Sequence, residues 1–246
     1  MGKLDEKKVI ITGAGSGIGK ATAIRFAAEG AHVACIDLRG AQDTASEIGG
    51  RAFALECNIA DSSAVETMVN SSVATMGGLD VLCNIAGIGH FAWSHQEPPA
   101  EFDKILAVNL SGTFYACRYA LPHLLANDGG VIVNTASTAG LIGQPWSAAY
   151  CASKGGVVML TRALAYEYRD KNIRVVGIAP GGTNTNIISS FSSIPEGADY
   201  KLIHKLMSPV KNADPSEIAG AFAYVASDEG RFITGSILTI DGGIVC

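Results

Sequence analysis

No basic run interrupts this sequence: 18 lysines and arginines stand dispersed against 23 acidic residues, for a formal charge of −5. A nucleic-acid partner needs a clustered cationic footprint for its phosphates, so DNA and RNA binding are excluded. The six cysteines (Cys35, Cys57, Cys83, Cys117, Cys151 and Cys246) contain no C-x-x-C pair. That spacing argues against a zinc site and against a disulfide framework. They read as reduced core residues, with Cys246 the exception. Carboxylates and histidines at metal-ligand spacing are also missing, so no catalytic metal is expected. Long hydrophobic runs are absent too. The opening MGKLDEKKVIITGAG passes from charges through a short apolar stretch straight into glycines, too short for a secretory core or a membrane span. The expectation is a cytoplasmic protein with no membrane partner. No repeat, low-complexity tract or linker divides the 246 residues, which at 48% hydrophobic can bury a large core. One domain, 1–246, is expected.

What is present is an alternation of short β-branched runs with helical stretches. The strand candidates are Val9–Thr12, His32–Ile36, Arg51–Glu56, Leu79–Asn84, Gly130–Thr135, Arg174–Ile178 and Ser236–Ile240. Several are apolar almost throughout, as strands covered on both faces are. The predicted fold class is α/β, a doubly wound parallel sheet with helices on both faces.

Directly after the first strand comes Thr12-Gly13-Ala14-Gly15-Ser16-Gly17-Ile18-Gly19, opening a helix that runs to about Glu29. Glycines permit a tight turn and a close backbone approach to a pyrophosphate, whose charge meets free N–H groups and the positive end of the helix dipole. The spacing is G-x-x-x-G-x-G with Gly15 in addition, so the context between strand and helix carries more weight than the letters. Asp37 ends the second strand about twenty residues further on, where a carboxylate accepts both hydroxyls of an adenosine ribose and repels a 2′-phosphate. The cofactor indicated is NAD. Arg39 is the nearby cation that NADP would need, and a loop-capping role for Asp37 is the alternative.

Tyr150-Cys151-Ala152-Ser153-Lys154 places a phenol and an ammonium four residues apart, on one helix face. A tyrosine with a reference pKa near 10 acts as a base around neutrality only with help, and a neighbouring positive charge supplies it. In isolation such a pair is common on helix surfaces.

These residues together resemble the short-chain dehydrogenase/reductase family in its compact, single-domain, Rossmann-type form. Asn84-Ile85-Ala86-Gly87, Asn109 within Val108-Asn109-Leu110, Ser137 within Asn134-Thr135-Ala136-Ser137, Pro180-Gly181 with Thr185, and Ile233-Thr234-Gly235 before Asp241-Gly242-Gly243 follow in family order. The resemblance covers nearly the whole chain. It implies an NAD(H)-dependent oxidoreductase interconverting a secondary alcohol and a ketone. Asn109, Ser137, Tyr150 and Lys154 would be its catalytic residues. Ser137 would bond the substrate oxygen, Tyr150 would act as general acid or base, and Lys154 would lower the tyrosine pKa and grip the nicotinamide ribose. Asn109 would hold a water linking the lysine to solvent. Standing alone, Ser137 would read as a helix cap and Asn109 as a buried, satisfied polar group.

For cofactor binding the resemblance implies Gly13, Ser16, Gly17, Ile18, Gly19, Asp37, Asn58, Ile59, Asn84, Ala86, Gly87, Tyr150, Lys154, Pro180, Thr183 and Thr185, with Gly182 loosening the last loop. Candidate pocket residues lie in Gly89–Glu97 (His90, Phe91, Trp93, His95), in Ala139–Ser147 (Leu141, Ile142, Gln144, Trp146), and in a lid over residues 186–212 that is expected to close over ligand. The tryptophans and Phe191 read either as lining for an apolar substrate or as packing. His90 and His95 read either as further acid/base groups or as packing histidines. Apolar surface on Glu101–Tyr119 and Ala148–Arg169 implies, through the family, a homotetramer. An NADPH-dependent 3-oxoacyl thioester reductase and a non-catalytic dinucleotide-binding regulator are the alternatives.

Overall fold

The computed structural model describes residues 2–191, 193–204, 207–208 and 210–246. Ser192, within the Ser189–Ser193 part of the predicted lid, and Lys205, Leu206 and Pro209 further along it lie outside the described residues. The strands are β1 (Lys8–Thr12), β2 (His32–Asp37), β3 (Ala52–Glu56), β4 (Val81–Asn84), β5 (Gly130–Thr135), β6 (Ile173–Pro180) and β7 (Ile237–Ile240). They form one sheet in the order β3-β2-β1-β4-β5-β6-β7, and every pairing is parallel. The fold is the doubly wound α/β class expected from the alternation.

Each strand sends alternate side chains into two cores. Val9 and Ile11 of β1 and Val33 and Cys35 of β2 join one cluster, while Ile10, Ala34 and Ile36 join the other. Helices α1 (Gly17–Ala28) and α9 (Pro215–Ala226) cover the first face through the fully buried Phe26 and Phe222. Helices α3 (Ser62–Met76), α5 (Gly112–Ala126) and α6 (Ala148–Glu167) cover the second through Val65, Ala116 and Leu164. A strand apolar on both sides is stable only between two such layers. Helix α2 (Ala41–Ile48) bridges β2 and β3, and α4 (Pro99–Leu106) precedes α5. Short helices α7 (Ile187–Ser190) and α8 (Tyr200–His204) lie in the segment predicted as a lid.

The single helix expected over Glu101–Tyr119 is interrupted. Residues Ala107–Ser111 form a π-helical turn in which Gly112 N–H donates to Ala107 C=O, five residues back. That turn holds Asn109. The sheet order reverses between β1 and β4, and a ligand crevice is expected outside the carboxyl ends of the strands at such a switch point.

Candidate active site

A cleft of about 530 Å³ opens at that switch point. It runs from Asp37 at the end of β2, past the Gly13–Gly19 loop, to Ser137, Tyr150 and Lys154 beside β5 and β6. Gly13 takes φ +73°, and a Cβ there would stand 2.7 Å from Ala86 N. The loops after β1 and β4 therefore meet backbone to backbone, as a pyrophosphate cradle requires. Thr12 Oγ1 secures the meeting by accepting hydrogen bonds from Ile85 N and Ala86 N at 3.1 and 3.3 Å. Ser16 is the N-cap of α1 but makes no side-chain cap, which leaves first-turn N–H groups for an anion. The residues present fit a dinucleotide.

Gly15, extra to the usual spacing, has a specific cause: a Cβ there would lie 1.9 Å from Arg39 C=O and 3.0 Å from Asp37 Oδ2. Its N–H donates to Asp37 Oδ2 at 2.9 Å, and Leu38 and Arg39 N–H groups donate to Oδ1 at 2.7 and 3.3 Å. Asp37 thus organises its loop and lines the cleft at once. Asn58 and Ile59 also line it, with Asn58 Oδ1 accepting from Ala60 N at 3.1 Å.

Tyr150 and Lys154 share one face of α6. The lysine is buried at 3% exposure, its Nζ donates to Thr135 C=O at 2.8 Å, and it sits 5.8 Å from the Tyr150 ring centroid. Burial draws the lysine pKa down to about 8. Burial also holds the tyrosine pKa above its ordinary value, while a hydrogen bond from Ser137 pulls the other way. The sequence predicts a phenol whose acidity is governed by the ammonium. In the structure desolvation dominates the phenol, and the ammonium's hydrogen bond goes to a carbonyl. Ser137 does cap a turn, accepting from Ala139 N at 3.2 Å, and it lines the cleft together with the phenol.

Asn109 sits in the π-helical turn with its side chain on the loop after β4. Its Oδ1 accepts from Ile88 N at 2.8 Å, and its Nδ2 donates to Ile88 C=O at 2.8 Å and to Ser153 Oγ at 3.0 Å. Both amide protons are used, so the side chain clamps the loop after β4. Asn84 is not among the residues that line the cleft. Its side chain donates to Asn134 Oδ1 at 2.9 Å and to Cys117 Sγ at 3.4 Å, and it ties two strand ends together. Gly182 differs from the expectation. A Cβ there would meet Asn212 Oδ1 at 2.4 Å, and Gly182 C=O accepts from Ala213 N at 2.9 Å, so the glycine permits close packing rather than looseness. Gly17, Ile18, Gly19, Ala86, Gly87, Pro180, Thr183 and Thr185 line the cleft.

A smaller cavity of about 220 Å³ shares Ser137, Tyr150, Pro180, Gly181 and Ile187 with the cleft. Phe91, Ile142, Gln144 and Phe191 line it. Trp93, Trp146, His90, His95 and Leu141 are not among its lining residues: Trp146 packs on Phe91 and Trp93, and His90 Nε2 faces Glu97 Oε1 at 3.0 Å. Ile203, within the segment expected to form the lid, lines this cavity, and so does Ile244, which no sequence motif marks. Ser153, which donates to Tyr150 C=O at 2.8 Å, lies between Tyr150 and Lys154 in the sequence and carries no signal of its own there.

Comparison with known proteins agrees with this arrangement. The family described as Enoyl-(Acyl carrier protein) reductase matches residues 13–245. Meso-2,3-butanediol dehydrogenase of Serratia marcescens is 40% identical over 245 residues, covering 98% of this chain and 95% of its own. Cyclohexanol dehydrogenase of Acinetobacter sp. (strain SE19) is 40% identical over 246 residues, covering 98% and 95%. The crystal structure of 3-ketoacyl-(acyl-carrier-protein) reductase from Brucella melitensis complexed with NADH superposes with a TM-score of 0.91 at 36% identity, covering 99% of this chain and 100% of that one. A short-chain type dehydrogenase/reductase from Mycobacterium marinum superposes with a TM-score of 0.89 at 33% identity, covering 99% and 97%. The seven-stranded parallel sheet, the cleft at its switch point and these relatives agree: the chain is an oxidoreductase of the short-chain dehydrogenase/reductase family.

Proposed function

We propose that the chain is an NAD(H)-dependent dehydrogenase that interconverts a secondary alcohol and a ketone, with Tyr150 moving the hydroxyl proton. The observation that carries this reading is the shared wall of the two cavities. Two hydroxyls, Ser137 and Tyr150, line that wall and so stand at both a dinucleotide-sized cleft and a separate small chamber. Relatives named as butanediol, threitol and cyclohexanol dehydrogenases support CH–OH chemistry, and they do not favour the 3-oxoacyl thioester alternative.

The loop from Gly13 to Gly19 would hold the pyrophosphate, and Asp37 the adenosine ribose. Asn58 and Ile59 would flank the adenine. Pro180, Thr183 and Thr185 would meet the nicotinamide end, and Lys154 its ribose. When bound, the nicotinamide supplies the acceptor or donor of hydride. Ser137 holds the substrate oxygen and its developing charge. Tyr150 takes the proton in oxidation and returns it in reduction. Asn109 acts through the loop it clamps. NAD is favoured over NADP because the Asp37 carboxylate, fixed by three backbone donors, repels a 2′-phosphate. Among the described residues Arg39 makes no ion pair with it. Exposed Phe114 on α5 and Met159 and Tyr166 on α6 support assembly into a homotetramer through those helices.

Initial rates of a panel of secondary alcohols with NAD and with NADP test the reading. NADH formation at least tenfold faster than NADPH formation, with the ratio reduced in Asp37→Ser, is expected. Preference for NADP in the wild type, or no reduction of either dinucleotide across the panel, contradicts it.

A further inference from the structure

The smaller cavity has a hydroxyl end and an apolar body. Ser137 and Tyr150 stand at one end, and Phe91, Ile142, Ile188, Phe191, Ile203 and Ile244 form most of the remainder. No charged side chain lines it among the described residues. An anionic substrate would therefore lose its hydration without gaining a counterion. Thr138 and Gln144 are the polar exceptions, and Gln144 is engaged at its backbone N by Cys151 Sγ and at Nε2 by Ser147 Oγ. Thr138 Oγ1 and Gln144 Oε1 are the polar atoms that a further substrate hydroxyl could meet there.

Size is limited as well as polarity. At about 220 Å³ the cavity is below the roughly 300–1,000 Å³ typical of drug-sized sites. Phe191 sets one wall, with its ring 5.2 Å from Tyr150 and 5.0 Å from Phe91, both edge to face. A glycine lets it sit there: a Cβ on Gly89 would lie 2.5 Å from Phe191 Cζ and 2.7 Å from Tyr150 Cδ2. The same side of the chamber is braced where Trp93 Nε1 donates to Glu196 C=O at 3.0 Å, joining the segment that carries Phe191 to the aromatic cluster of Phe91, Trp146 and Trp93.

Building on the dehydrogenase reading above, we propose that this cavity receives the non-reacting part of the substrate and selects compact, uncharged secondary alcohols and ketones. One ring or a short branched chain fits; hydroxy acids and fused-ring alcohols are discriminated against, with Phe191 setting the upper limit on size. The test uses the wild-type protein with NAD, with cyclohexanol and butan-2-ol as substrates and lactate and 2-decalol as charged and fused-ring probes. The kcat/KM for lactate and for 2-decalol is expected to be lower by at least a hundredfold than that for cyclohexanol. Phe191→Ala should raise kcat/KM for 2-decalol at least tenfold and raise KM for cyclohexanol, and Phe191→Leu should give an intermediate result if the alanine variant does not fold. Lactate turned over as well as the compact alcohols, or an unchanged 2-decalol to cyclohexanol ratio in both variants, overturns the proposal. Turnover of lactate or 2-decalol at the cyclohexanol rate removes the substrate class and leaves the dehydrogenase standing, whereas no turnover in any series removes both.

Discussion

Lys154 carries a positive charge into a place that resists it. Buried at 3% exposure with Thr135 C=O as its hydrogen-bond acceptor, it has a pKa drawn from 10.5 down to about 8. In the unfolded chain the lysine stays protonated up to about 10.4. Between roughly pH 8 and 10.4 the unfolded state thus binds more protons than the folded one, and stability contributed by this site rises with pH across that window. Below pH 8 the full burial penalty is present. Lys154→Met is therefore expected to melt at or above the wild-type temperature at pH 7, with the difference shrinking as the pH approaches 10, even though catalysis is lost. Thermal melts of both proteins from pH 7 to 10 check this. A methionine variant less stable than wild type at pH 7, or a gap that widens with pH, contradicts it. The lysine's place beside Tyr150 was legible from four-residue spacing alone, because a helix fixes which residues share a face. The dominance of desolvation over the ammonium was not, since burial depth depends on the layers packed above α6.

At the scale of elements, the π-helical turn at Ala107–Ser111 brings a chain-distant helix into the site. By inserting an extra residue into the helical repeat it presents Asn109 to the loop after β4, where the amide meets Ile88 N, Ile88 C=O and Ser153 Oγ. π-Turns of this kind occur often at functional sites. Asn109→Ala would leave these buried partners unsatisfied, so a loss of roughly 1–3 kcal/mol of stability is expected, together with a raised KM for the dinucleotide. Denaturant unfolding and steady-state kinetics read the two effects, and an Asn109→Ala protein with wild-type stability and KM contradicts the clamp. The sequence marked Asn109 by its motif but not by its job, because Val108-Asn109-Leu110 has the same letters in an α- or a π-turn. The Gly13–Gly19 loop was legible because strand, glycines and helix are adjacent in the chain. Gly182 was misread because its reason is Asn212, thirty residues away. The facing of the Asn84 side chain was not legible, because a residue at a strand end can face the cleft or the neighbouring strand, and only the pairing of β4 with β5 decides which.

Over the whole molecule, the strand order places the glycine loop of β1 beside the Asn84–Gly87 loop of β4, with helix α6, which carries Tyr150 and Lys154, on the other side of the reversal. Alternation of strands and helices made the sheet legible, since apolar runs on both faces demand two covering layers. What closes the small cavity was less so: Ile203 lies in the segment expected as a lid, but Ile244 reaches the cavity from beyond β7. Sheet, cleft and chamber converge on one phenol, and the central claim is that this phenol carries the proton. The most direct measurement compares Tyr150→Phe with the wild type in NAD reduction by a secondary alcohol that the wild type oxidises, alongside dinucleotide affinity by fluorescence titration. Loss of turnover by at least a thousandfold with affinity for NADH changed less than threefold is the predicted result. A phenylalanine variant that still oxidises the alcohol within tenfold of the wild-type rate contradicts the account.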